Sequence, residues 1–253
     1  MLDDSVSRRQ VLSRSGAAVV APLASSLVAG AAQSPPARKV VVAGGHPGDP
    51  EAGCGGTMAR YADAGAEVVA LYLTRGEAGV AGKDHREAAA IRTAEAEAAC
   101  RILNARPAFA AQVDGATEVT ARRYAEFEEL LSREKPDVVF TQWPVDTHAD
   151  HRACAALTIG AWLRLGRSFA LYYYEVDLGL DTQCFRPTHY VDVTATEPRK
   201  RQACMAHASQ GPAGGFYTKD HEPMLRFRGR ECGRRYAEAF VQHEPGRVGL
   251  LPD

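Results

Sequence analysis

Apolar residues along this chain come in short unbroken runs, separated by longer stretches in which they recur at helical spacing. Residues 39–45 (KVVVAGG), 67–74 (EVVALYLT) and 137–141 (DVVFT) have the character of parallel strands buried on both faces. Residues 169–175 (FALYYYE) and 190–193 read as two further strands, and 108–113 as a weaker one. Helices are predicted over 55–65, 84–104, 120–134, 150–165 and 197–207. The second of these is a long Ala/Glu/Arg stretch of strong intrinsic propensity. Strand–helix alternation predicts an α/β fold with a mostly parallel central sheet and helices on both faces. Residues 211–220 form a Gly/Pro/Tyr-rich loop placed to act as a lid. In such sheets ligands bind beyond the carboxyl ends of the strands, so the informative residues are those after Gly45, Thr74 and Thr141.

The amino-terminal stretch breaks this alternation. Ser7-Arg8-Arg9-Gln10-Val11-Leu12 is followed by an uncharged, Ala/Val/Leu/Ser-rich segment over 15–37, and Ala29-Gly30-Ala31 offers a small-x-small cleavage site. Residues 1–31 therefore read as a signal peptide, and the paired arginines resemble the twin-arginine type. Residues 32–38 are then a linker and 39–253 a single domain. A membrane anchor is the competing reading, but the segment is weakly apolar and interrupted by Pro22. The expected location is periplasmic or extracellular, with no stable membrane insertion once the signal is removed.

Composition narrows the partners rather than naming them. The chain has 253 residues, with 45% hydrophobic and 24% charged positions and a formal charge of −1. Cleavage after Ala31 leaves 222 residues with 27 basic against 29 acidic side chains. Neither form carries the basic footprint of a nucleic-acid binder. The six cysteines include no Cys-x-x-Cys pair, which excludes a zinc ribbon and favours small buried residues over disulfides.

Two clusters carry the chemistry. After the first strand, His46 is followed by Asp49 and Glu51 on a turn containing Pro47, Gly48 and Pro50. An imidazole with carboxylates three and five residues later suits zinc or another divalent ion. A dinucleotide loop fails here, because Gly53 and Gly55 are followed by Met58 where a third glycine is required. After residue 141 come Trp143, Asp146, Thr147, His148, Asp150 and His151. Alone, His148 and His151 fit a capped helix start with Asp146 or Thr147 as N-cap. At two strand ends of one sheet, the clusters together point to one metal site.

The combination of Gly45-His46-Pro47-x-Asp49, Gly53-x-Gly55-Gly56-Thr57 and His148-x-x-His151 resembles the PIG-L/LmbE-like deacetylases. Thr74-Arg75-Gly76-Glu77, Arg92-x-x-Glu95, His207-Ala208-Ser209-Gln210, Arg228-Gly229-Arg230-Glu231 and Tyr236-Ala237-Glu238-Ala239-Phe240 extend the resemblance over essentially all of 39–253. It implies a Rossmann-like α/β fold and zinc-dependent removal of acetyl groups from N-acetylglucosamine units, with a small N-acetylated amino-sugar conjugate as substrate. Carried over by position, His46, Asp49 and His151 are the metal ligands. His148 stabilises the oxyanion or protonates the leaving amine. Asp150 or Asp146 orients a histidine.

The chain departs from the family at Gly48, where the pattern has its general base, an aspartate. Losing such a group typically costs about 10²–10⁴-fold in rate. Three accounts stand open: Glu51 swings in as base, Asp146 or Asp150 serves from the other loop, or the protein binds metal and carbohydrate without hydrolysis. A hydrolase of another amide or an ester is a further reading. Arg75 is a candidate for holding a substrate hydroxyl or phosphate, with a surface ion pair as its alternative. Trp143 and Tyr217 are candidates for stacking on a sugar face, with core packing as theirs. Arg92 and Glu95 read as a helix pair, Cys54 as a buried small residue and His207 as structural or supporting.

Overall fold

The computed structural model describes residues 39–176, 181–211, 217–246 and 250–252. The predicted signal and linker over 1–38, and positions 212–216 of the predicted lid, lie outside these residues. Strand β1 (Lys39–Gly44) is central, flanked by β2 (Glu67–Tyr72) and β4 (Val138–Gln142). The remaining strands are β3 (Ala105–Phe109), β5 (Ala170–Tyr174), β6 (His189–Asp192) and β7 (Ala237–Gln242), and the sheet order is β3-β2-β1-β4-β5-β7-β6. β1 to β5 pair in parallel, while β7 runs antiparallel to both β5 and β6. The chain thus winds outward from β1 to β3 and returns to start the other half at β4. The gap between the ends of β1 and β4 is the switch point, where loops diverge and leave a crevice.

Successive strand residues point to opposite faces, and both faces are covered. Val40, Val42, Ala70, Tyr72 and Phe140 lie in a core with residues of α1 (Asp49–Asp63), α2 (His85–Leu103) and α5 (Glu197–Met205). Val41, Ala43, Leu71, Val139 and Leu171 share a second core with α3 (Ala121–Glu134) and α4 (Ala149–Arg164). Burial on both sides is why these strands read as continuous apolar runs.

Helix α1 differs most from expectation. It begins at Asp49 instead of residue 55, directly after the β1 loop. Pro50 sits in its first turn, and the Glu51 carboxylate accepts from the Gly48 N–H at 3.1 Å, closing the helix start. Its glycines mark close approach: a Cβ on Gly53 would lie 2.1 Å from the Tyr174 ring, and one on Gly56 2.6 Å from Val193. β3 runs Ala105–Phe109, three residues ahead of the predicted start, because Arg106 and Pro107 mask an edge strand. Helix α6 (Glu222–Cys232) and β7 were not predicted: α6 sets its few apolar positions among charges, and the short apolar run of β7 is interrupted by Glu238. All six cysteines are free, and Cys54, Cys100, Cys154 and Cys204 are buried as small core residues.

A buried ion pair holds α1 to the rest of the domain. Lys200 of α5 is fully buried and donates to Glu238 Oε1 of β7 at 2.6 Å and to the Ala52 carbonyl at 2.5 Å. Glu238 accepts in turn from the Gly56 N–H at 2.8 Å and the Thr57 N–H at 2.7 Å. The pair therefore satisfies backbone groups in the glycine-rich part of α1. Removing one partner of such a pair strands the other charge. Lys200→Met is expected to lower stability by about 3–5 kcal/mol in urea unfolding, and Lys200→Met/Glu238→Gln to recover part of that loss.

Candidate metal centre

The site is built from the loops that leave β1, β3 and β4. Gln142, the last residue of β4, links two of them. Its Oε1 accepts from the Gly45 N–H at 2.9 Å, and its Nε2 donates to Asp49 Oδ2 at 3.0 Å. The same oxygen accepts from the His46 N–H at 2.8 Å and lies 3.2 Å from His46 Nδ1 and 3.4 Å from His151 Nε2. The structure thus brings His46, Asp49 and His151 together. His46, His148 and His151 also present nitrogens within 4.8 Å of one another.

Supporting carboxylates surround the imidazoles. Asp146 Oδ1 lies 3.1 Å from His151 Nδ1, which turns Nε2 toward Asp49. Asp146 Oδ1 also accepts from the His148 N–H, and its Oδ2 accepts from Thr182 Oγ1 at 3.1 Å. His46 Nε2 faces Asp150 Oδ2 at 3.0 Å and Asp114 Oδ1 at 3.2 Å. Asp114 and Gln142 are absent from the sequence reading. Gln142 ends a strand as an unremarkable amide, and Asp114 belongs to no motif, so only a correct placement of β3 would have drawn attention to its loop. His148 caps α4: its Nδ1 accepts from the Asp150 N–H at 3.3 Å, which leaves the proton of the neutral ring on Nε2.

Electrostatics give this cluster its character. Burial disfavours protonation of His46, but Asp49, Asp114 and Asp150 outweigh it and raise the imidazole well above its ordinary range. For His151 burial is likewise outweighed, by Asp49 and Asp146, and the ring is pushed up to about 9. Asp49 is held well below the usual carboxylate range, since His151 and His46 overcome its burial. Asp150 is also lowered: burial opposes ionisation, and the hydrogen bonds from His46, Thr117 and Gly115 outweigh it. His148 moves down, through burial and the neighbouring His46 and His151. Four carboxylates around three imidazoles form a donor set in which protons occupy the place of a cation. A divalent ion fits it in both charge and ligand chemistry.

None of the three carboxylates considered as general base has an idle oxygen. Glu51 is fully buried; its Oε1 accepts from Tyr72 Oη at 2.5 Å and its Oε2 from the Gly48 N–H. It closes the start of α1 and does not swing into the crevice. Both oxygens of Asp146 are engaged as described, and Asp150 accepts from Thr117 Oγ1 at 2.6 Å and the Gly115 N–H at 2.9 Å besides facing His46. Gly48 itself has φ +107° and ψ −33°, a conformation glycine adopts without strain and an aspartate does not.

Two of the three candidate substrate contacts are committed elsewhere. Arg75 donates to Thr93 Oγ1 at 2.9 Å and lays its guanidinium 4.0 Å over the Phe109 ring. Tyr217 is fully buried with its hydroxyl on Glu197 Oε1 at 2.6 Å, which corrects the expectation of sugar stacking in favour of core packing. Trp143 is half-buried, donates to the Gln183 carbonyl at 2.9 Å and packs edge-on against Tyr173 and Phe185.

The charge balance yields a prediction about metal loading. His151, raised to about 9 from an ordinary value near 6.5, stabilises the metal-free protein fully below the lower value, and that contribution is lost as pH rises through the higher one. The metal-free protein is expected to melt at a lower temperature at pH 9.5 than at pH 7, and zinc to flatten that fall. Zinc titration at pH 7.5 is expected to release at least one proton, read as the dependence of calorimetric enthalpy on buffer ionisation heat.

Comparison with known proteins places the chain. Residues 40–162 match the family model PIG-L, GlcNAc-PI de-N-acetylase. Over 231 residues the chain is 30% identical to the diacetylchitobiose deacetylase of Thermococcus kodakarensis, covering 83% of this chain and 84% of that protein. The solved N,N'-diacetylchitobiose deacetylase from Pyrococcus horikoshii is 26% identical with a TM-score of 0.71, covering 82% of this chain and 84% of that one. GalB, the 4-carboxy-2-hydroxymuconate hydratase of Pseudomonas putida KT2440, shares the fold with a TM-score of 0.72 at 21% identity, over 85% of this chain and 100% of that one. By its matched residues, its sheet and its relatives, the chain belongs to the PIG-L family of de-N-acetylases.

Proposed function

We propose that the protein is a metal-dependent hydrolase that removes the N-acetyl group from an N-acetylglucosamine-type sugar conjugate, acting outside the cytoplasm after export on the signal at residues 1–31. The observation that carries this reading is the cluster of three imidazoles ringed by carboxylates at the β1–β4 switch point, in a chain of a de-N-acetylase family. His46, Asp49 and His151 would hold the ion, zinc first among candidates. A metal bound there supplies polarisation of the acetamido carbonyl and a more acidic water.

The remaining steps belong to the protein's own residues. Gln142 pins Asp49, and Asp146 fixes the face that His151 presents. His148, lowered in pKa and protonated on Nε2 when neutral, is a hydrogen-bond donor for the charge that develops on the carbonyl oxygen. Trp143 stands beside this loop as a wall for the sugar.

Zinc-loaded protein is expected to release acetate from a panel of N-acetylated chito-oligosaccharides and N-acetylglucosaminyl-inositol conjugates. His46→Ala is expected to abolish both metal binding and acetate release. His148→Ala should keep the metal and lose about 10²–10³-fold in kcat, the usual loss for one oxyanion donor. Retained binding of metal and sugar with no acetate from any substrate would replace the hydrolase by a binding protein.

A further inference from the structure

The carboxyl edge of the sheet carries a second concavity beside the metal centre. A cavity of about 450 Å³ opens at the end of β5, between residues 182–185 and α6. β5 pairs in parallel with β4, and β4 with β1. Neighbouring strands lie about 4.8 Å apart, so the end of β5 is roughly 10 Å from the end of β1.

The cavity and the metal centre share a wall. Residues 145–147 and 181–183 run as a short ribbon, with the Gln183 N–H on the Val145 carbonyl and the Thr147 N–H on the Asp181 carbonyl, both at 2.9 Å. Asp146 of this ribbon supports His151, and Thr182, which lines the cavity, donates to Asp146 Oδ2 at 3.1 Å. Trp143 spans the same boundary. Its indole donates to the Gln183 carbonyl, and its ring packs edge-on against Phe185 of the cavity wall at 5.6 Å.

The polar groups of the cavity are already engaged. Arg228 donates to both oxygens of Glu175, at 2.6 and 2.8 Å, and its Nη1 donates to Glu231 at 2.8 Å. The Thr182 hydroxyl accepts from the Val176 N–H at 3.0 Å besides donating to Asp146. One positive charge stands against two negative ones, so the cavity offers an anion no net attraction. What it leaves for a ligand is apolar: Met224 and the rings of Phe185 and Phe227, whose centroids lie 5.7 and 5.0 Å from the Arg228 guanidinium. Phe227 keeps 52% of its surface exposed, while its α6 neighbours Met224 and Leu225 are buried. An open aromatic face on the wall of a cavity is a stacking surface.

We propose that this cavity is an aglycone subsite, which takes an uncharged aromatic group carried by an N-acetylated sugar held beside Trp143. The sugar half of this ligand rests on the deacetylase reading above. A second saccharide would bring hydroxyls against a wall whose hydrogen-bonding groups are taken, and a phosphate would meet the excess of carboxylate. An aryl ring asks for neither and covers the face of Phe227.

The test compares phenyl and methyl N-acetyl-β-glucosaminide on zinc-loaded protein. The ε-methyl of Met224 is followed in the ¹³C spectrum of methionine-labelled protein, assigned by its loss in Met224→Leu. The phenyl compound is expected to shift this signal saturably and the methyl compound to leave it in place. No shift with the phenyl compound, or equal shifts with both, overturns the proposal. In acetate release, KM is expected to be at least about tenfold lower for the phenyl compound, and Phe227→Ala to bring the two values within about twofold of each other. Equal values in the unaltered protein, or an undiminished difference in the variant, overturn it. The 4-carboxyphenyl compound is expected to bind more weakly than the phenyl one, and tighter binding would show an anion site instead. If neither compound releases acetate, the hydrolase reading fails on its own and the Met224 signal still decides the cavity. Acetate from both with no preference for phenyl removes the subsite and leaves the hydrolase.

Discussion

A single carboxylate oxygen, Asp49 Oδ2, joins the two halves of the sheet. It accepts from the backbone of its own loop at His46 and from Gln142 at the end of β4, and it faces the rings of His46 and His151. β1 and β4 diverge at this point, so nothing in the sheet ladder itself fixes the distance between their loops. The carboxylate does so by electrostatics and hydrogen bonding, in a place where burial makes both strong. Its own ionisation depends on the imidazoles it faces, and their protonation depends on it. Geometry and charge at the centre are therefore one coupled quantity, and a cation of charge two is its natural complement.

Outward from that oxygen, the structure repeats one device: a charged side chain from a distant element satisfies backbone groups in the loop or helix start beside the site. Glu51 closes α1 on Gly48, Arg92 takes the Pro47 carbonyl, Glu95 takes Ser209, and the Lys200–Glu238 pair serves Ala52, Gly56 and Thr57. The glycine-rich segment that permits Tyr174 and Val193 to approach α1 would otherwise be a weak helix. Buried charge is costly where it is unmatched. Here each charge is matched, and the expense secures the position of the chemistry in place of the bulk of the core.

Much of this was legible in the chain itself. The strands that place the site are buried on both faces and announce themselves as apolar runs; strand ends and spacing point to the two clusters around His46 and His148, and the family resemblance singles out His46, Asp49 and His151 within them. What was hidden obeys a different logic. Gln142 and Asp114 act through contacts across the switch point, and their residue types carry no local signature. β3 was displaced by Arg106 and Pro107, which an edge strand tolerates, and α1 started early because its helix signal is a proline and a carboxylate instead of an apolar period. Tyr217 stands in a glycine-rich segment where sugar stacking and core packing read alike, and the burial of its ring beside Glu197 depends on how α5 packs.

A solved hydratase shares this fold at 21% identity, and a fold does not dictate one reaction. Reaction type is decided by which groups can move protons at the crevice. In this chain the family's aspartate position is a glycine in a left-handed conformation, and the carboxylates within reach have their oxygens occupied.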